Sequence, residues 1–251
     1  MSEKVATPLV DHLLELRRRL IYVLGSFLLA FIVSYQFSDE IFAILVKPLA
    51  NVLEGKTGRR LIYTGLAEAF MTYLKVALFT ATFITLPLLA IQVWLFISPG
   101  LFPVERKVLL PFLMLTPLFF GIGATFAYYL IIPPAWKFFL AFEETKASNI
   151  LPIQLEARVS EYLSIVMQLI LAFGTSFLLP VLLILLGRIG VITSHALANK
   201  RKYAFLLILI VAAFATPPDV LSMLGLAFPL YFLYETSIFC VYFFEKRGSH
   251  A

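Results

Sequence analysis

The 251-residue chain holds one cysteine and three histidines, and Asp, Glu, Lys and Arg together make up only 14% of it. Each scarcity excludes a kind of chemistry. The single thiol, Cys240, lies inside an apolar run, which rules out an internal disulfide or a thiolate metal cluster. His12, His195 and His250 all fall outside the apolar runs, so no intramembrane metal site or Ser-His dyad can be assembled from them. No Walker A, GxSxG or HExxH string occurs. The chain is therefore expected not to be an enzyme and to use no metal or cofactor.

What is abundant is apolar surface. Hydrophobic residues make up 61% of the chain and mean hydropathy is +0.94, far outside the range of a soluble globular domain. Six apolar segments can be drawn, at about 20–37, 69–97, 108–132, 162–186, 203–216 and 223–244. The expected fold is an all-α polytopic membrane protein, one membrane domain over 1–251. The first run is longer than a signal-peptide core and lacks a small-residue cleavage site, so it reads as a retained anchor. A net charge of +5 would suggest nucleic acid in a soluble protein. Here loop charges explain it, and no nucleic-acid partner is expected.

The distribution of cations orients the chain. Twelve of the twenty Lys and Arg fall on the N-terminus and alternate short loops, including Arg17 to Arg19, Arg106, Lys107, Arg188, Lys200 to Lys202, Lys246 and Arg247. The other eight are spread over longer loops and matched there by nine acids. The positive-inside rule then places both termini in the cytoplasm. The long loops 38–68 and 133–161 face outward as packed caps with short helices, punctuated by Pro48, Pro133, Pro134 and Pro152. The last two spans are expected to be short. The fifth covers only ~21 Å of a core of ~30 Å, and Pro217-Pro218-Asp219-Val220 is all that links it to the sixth. Pro87, Pro180 and Pro229 lie within spans and should kink them, favouring a curved, concave wall.

Residues 8–19 should form an interfacial helix leading into the first span. Leu9, Leu13, Leu16 and Leu20 recur at helical spacing, with Asp11, His12, Glu15, Arg18 and Arg19 on the rest of the turn. Glu15 stands four residues before Arg19, the favoured order for an intrahelical ion pair. It equally suits a ligand-binding role, and spacing leaves the two readings level. Glu105, in the short link between the second and third segments, is a second carboxylate on the same cytoplasmic side. Two such carboxylates suit a ligand with adjacent arginines, because guanidinium bonds carboxylate in a bidentate manner that Lys cannot reproduce. Internal pairing of Glu105 with nearby cations is the alternative, and by spacing alone it is the stronger. Glu235 is an ionisable group within a span, hence a candidate for a proton-coupled small-solute transporter.

Four sets of strings, in order along residues 8 to about 244, resemble the TatC family, the integral-membrane receptor subunit of the twin-arginine protein translocase. They are His12-Leu-Leu-Glu15-Leu-Arg17 with Arg19-Leu20; Gln92-Val-Trp94-Leu-Phe96-Ile-Ser-Pro99 running on to Glu105-Arg106; Ala172-Phe173-Gly174 with Ser176-Phe177 and Pro180; and Thr216-Pro217-Pro218-Asp219. The resemblance implies six transmembrane helices in a curved, glove-like arrangement in the cytoplasmic (inner) membrane. It implies binding of the Arg-Arg motif of signal peptides on folded precursors, with single-span TatA-type and TatB-type partners, multiple copies in the active complex and the proton-motive force as drive. Glu15 and Glu105 would receive the arginines, with His12, Arg17, Arg19, Phe96 and Arg106 around them. Pro48, Gln92 and Asp219 match positions of structural or functional use. Two positions depart from the family pattern: Leu178 stands where many relatives carry an acid facing the concave pocket, and Met223 where some carry Gln. Gln168 or Thr175 is a candidate to replace the lost polar contact.

Overall fold

The computed structural model describes residues 8–54, 60–98, 103–141, 156–216 and 219–248, with side chains described from residue 12 and excepting 103–108 and 247–248. Pro152, Pro217, Pro218 and His250 lie outside the described residues. Among the described residues the chain is all-α: four helical stretches are long and apolar enough to cross a membrane, and the bent pair at 12–53 would make a fifth, against the six expected.

Helix α1 (Pro8–Gln36) is continuous from the interfacial stretch through the first span. At Phe37 the chain turns by 76° into α2 (Ser38–Leu53). The turn is held by the Ser38 hydroxyl donating to the Tyr35 carbonyl at 2.8 Å, and Asp39 and Glu40 open α2 where its dipole favours acids. Pro48 lies inside α2, three turns in, and not at a helix start or turn as expected. Proline has no N–H for the carbonyl four residues back. That carbonyl belongs to Ile44, and the Tyr128 hydroxyl satisfies it from another helix at 2.6 Å. The adjacent Leu45 carbonyl accepts from buried Tyr162 at 2.9 Å. The proline thus frees an acceptor that ties α2 to the rest of the fold.

Helix α3 (Glu68–Ile97) crosses next, followed by α4 (Pro103–Phe126), a π-helical turn at Ala127–Ile131 and α5 (Ile132–Ala141). The third crossing therefore runs well past the expected 132. The π turn has a local cause. Pro133 and Pro134 lack N–H groups, and just before them the Ile132 N–H reaches five residues back to the Ala127 carbonyl. Helix α4 also contains Pro111 and Pro117, so the kink-forming prolines are not confined to positions 87, 180 and 229. The fourth crossing breaks into α6 (Val159–Ser176) and α7 (Leu179–Arg188) immediately before Pro180. Leu163, Val166, Leu169 and Phe173 of α6 are fully buried, which makes this helix the centre of the core.

A left-handed Gly190 (φ 79°) ends α7. Short α8 (Ser194–Asn199) follows, its first turn capped by the Thr193 hydroxyl accepting from the Ala196 N–H at 3.1 Å. Helix α9 (Arg201–Ala215) has 15 residues, a length of ~22 Å against the ~30 Å hydrocarbon core. Helix α10 (Val220–Gly248) has 29 residues and is not short. The expectation of two short spans is corrected to one. Residues 245–248 prolong α10 because Glu245 is held by α8, a contact between segments 51 residues apart.

Candidate functional site

The polar face of α1, and not its leucine stripe, packs against α3. Leu13, Leu16 and Leu20 are exposed, as lipid gives apolar side chains no reason to turn inward. His12, Glu15 and Arg19 recur at helical spacing and face the C-terminal part of α3. The His12 ring stacks on Phe96 with centroids 4.3 Å apart and planes at 20°. The Arg19 guanidinium holds Glu15 through Nε to Oε1 at 3.1 Å and a second, closer Nη2 contact. Its Nη1 also reaches Gln92 Oε1 at 3.5 Å. Four side chains expected at the site and Gln92, expected as a supporting position, therefore form one constellation at a single end of the wall.

The intrahelical pairing of Glu15 with Arg19 is present, and it does not exhaust the carboxylate. Both contacts fall on Oε1, and Oε2 makes no hydrogen bond among the described residues. The Glu15 side chain keeps 34% of its exposure, against 20% for Arg19. One oxygen is thus oriented by a neighbour, and the side chain as a whole remains partly exposed. Arg17 is exposed, with no ion pair among the described residues, and is not joined to this group. Glu105 and Arg106 lie in the first turn of α4, which packs against α3, but their side chains are outside the described residues.

The remaining candidates lie elsewhere. Buried Asp219 caps α10, its Oδ1 accepting from the Ser222 N–H at 2.6 Å. Gln168 donates to the Ala215 carbonyl at 3.3 Å, which ties the end of short α9 to α6. Leu178 precedes α7 and lines an apolar cavity of about 600 Å³ together with Thr116, Thr175, Leu207 and Leu230. Thr175 shares this cavity with Leu178, but its hydroxyl bonds the carbonyls of Leu171 and Ala172 in its own helix. Glu235 is ion-paired to Arg201 of α9 at 2.8 Å.

Sequence reasoning passed over Glu68. One of its oxygens accepts from the Ser160 hydroxyl at 2.7 Å and N–H at 3.3 Å. The other accepts from the Thr64 N–H at 2.8 Å, the Thr64 hydroxyl at 3.1 Å and the Gly65 N–H at 3.2 Å. Beside it Ile62 and Arg158 form a parallel bridge, with the Ile62 N–H on the Ala157 carbonyl and the Val159 N–H on the Ile62 carbonyl, both at 3.1 Å. The Thr64–Gly65 turn before an acid hinted at the local half of this cluster. Nothing hinted at Ser160, 92 residues away. E68A is expected to speed hydrogen exchange at the Ile62 and Val159 amides, and E161A, which removes an exposed ion pair beside the cluster, to speed it much less.

Residues 11–229 match the family model described as "Sec-independent protein translocase protein (TatC)". The chain is 46% identical to the protein of that name from Rickettsia prowazekii over 94% of its own length and 92% of the relative's. The corresponding figures for the Escherichia coli K12 protein are 34%, 99% and 93%. A crystal structure titled as the twin-arginine translocase receptor TatC superposes with a TM-score of 0.76 at 33% identity, covering 93% of this chain and 99% of that one. Matching strings, a common fold and similarity along nearly the whole length agree: the chain belongs to the TatC family of Sec-independent protein translocase proteins.

Proposed function

We propose that the chain is the signal-peptide receptor of a twin-arginine translocase, taking the Arg-Arg motif at Glu15 with Glu105 as the second carboxylate. Glu15 carries the reading: Arg19 orients one oxygen, Oε2 has no hydrogen-bond partner among the described residues, and the Gln92 and His12–Phe96 contacts hold the helix that bears it. Preorganisation of this kind lowers the ordering cost of a bound guanidinium. Glu105 enters through the family likeness and through the packing of α4 on α3.

Both termini face the cytoplasm of the inner membrane, where precursors are presented. TatA-type and TatB-type single-span proteins assemble with several copies of the chain, and the proton-motive force drives export. The reading is tested with a photoreactive residue replacing Phe96 in membranes that also hold the single-span partners. It should capture a precursor bearing Arg-Arg and release it when the motif is Lys-Lys. Equal capture of both precursors would refute arginine recognition here.

A further inference from the structure

At the same end of the wall as Glu15, a second polar corner forms where α7, α8, α9 and α10 meet. Its acids are already engaged. Glu245 accepts from the Ser194 N–H at 2.9 Å and, more closely, from the Ser194 hydroxyl. Glu235 is bound to Arg201. Among the described residues the other cations have no carboxylate. Lys200, Lys202 and Lys246 are exposed, with no ion pair among the described residues, and the Arg188 guanidinium rests over the Phe244 ring, 4.7 Å from its centroid.

The corner is built, not loose. The Tyr234 hydroxyl bonds the Leu197 carbonyl at 2.8 Å and Glu245 holds Ser194, so both ends of α8 are tied to α10. The six residues of α8 span ~9 Å and separate Arg188 and Lys246 from Lys200 and Lys202. Directly below the lysines, α9 exposes Tyr203, Phe205, Leu206 and Leu207. An exposed tyrosine above an apolar face marks the level where headgroups begin.

We propose that this corner binds the phosphate headgroups of anionic phospholipids, in the cytoplasmic leaflet under the orientation given above. Unpaired cations along one corner, of which Lys200 and Lys202 lie just before the exposed apolar residues of α9, match lipid phosphates in charge. The proposal rests on the chain spanning a bilayer and not on recognition of a signal peptide, so either can fail alone.

The test uses the full-length protein in detergent with equimolar phosphatidylglycerol and phosphatidylcholine, the retained lipids being counted by native mass spectrometry. The unaltered protein should favour phosphatidylglycerol, and each Lys→Gln change among positions 200, 202 and 246 should cut the preference about fivefold. Lys→Arg at all three should keep it, which separates loss of charge from misfolding. E235Q, which frees Arg201, should raise it. Equal retention of the two lipids by the unaltered protein, or an unchanged ratio in the triple Gln variant, overturns the proposal. Cosedimentation of an acidic soluble protein with phosphatidylcholine proteoliposomes, lost in the triple variant while the lipid ratio is unchanged, would assign the corner to a protein partner and also overturn it.

Discussion

E15Q is expected to weaken binding of a twin-arginine signal peptide by about ten- to a hundredfold, the loss of one charge-assisted hydrogen bond worth roughly 1.5–3 kcal/mol in a shielded site. The amide is nearly isosteric, so its effect isolates charge. Arg19 would keep the amide oxygen and Gln92 as acceptors, and the His12–Phe96 stack would stay in place because it involves neither Glu15 oxygen. A peptide titration on membranes containing the variant gives the magnitude. The same titration with a Lys-Lys peptide supplies the decisive comparison. If Glu15 reads guanidinium geometry, E15Q lowers affinity for Arg-Arg far more than for Lys-Lys and the preference narrows. A variant that loses both affinities equally would make Glu15 a general electrostatic attractor. E15Q with E105Q should fall further than either alone if the two carboxylates take separate arginines.

The largest effect on stability is expected where α4 and α6 touch. A Cβ added at Gly123 would meet the Phe173 carbonyl oxygen at 2.5 Å and the Phe177 side chain at 2.9 Å. One added at Gly174 would lie 2.8 Å from the Phe120 ring. The two glycines let the helices approach until aromatic rings close over each backbone, a use of small residues typical of helix pairs in lipid. At Gly123 the obstacle is backbone, which cannot rotate aside. G123A should therefore force the helices apart and cost about 1–3 kcal/mol or more, lowering the thermal midpoint of the purified protein by several degrees. G121A is the control two residues away, since a Cβ there meets nothing within 4 Å. It should be neutral or slightly stabilising, as alanine suits a helix better than glycine. Equal midpoints for G123A and G121A would show that the contact does not limit stability.

Much of the architecture was readable because lipid imposes simple rules. A crossing helix must be apolar for most of its length, so six segments showed in composition alone, and the shortness of α9 showed in its residue count. Proline at 180 predicted a break that comes where the backbone loses its donor. The errors cluster at ends. Helix α10 is longer than expected because a distant partner holds its last turn, and the third crossing extends into α5 because the apolar run continues past the proline pair. Spacing alone predicts a helix start or turn at Pro48. Its place inside α2 depends on the Tyr128 hydroxyl, 84 residues away, answering the freed Ile44 carbonyl.

The candidate site divides along the same line. The order and spacing of its strings carried the family, and the cations at helix ends carried the expected orientation. Periodicity gave α1 an apolar stripe and a polar face without saying which would meet the protein. In water the leucines would turn inward; in lipid the polar face does, since only another helix can offer it hydrogen bonds. Sequence by itself marked the apolar segments and the polar face of α1, because these follow from local apolarity and helical period. Tertiary structure alone decided that Arg19 spans Glu15 and Gln92, that Glu235 is paired and that Glu68 joins two segments, because each depends on groups far apart in the chain meeting across a helix interface.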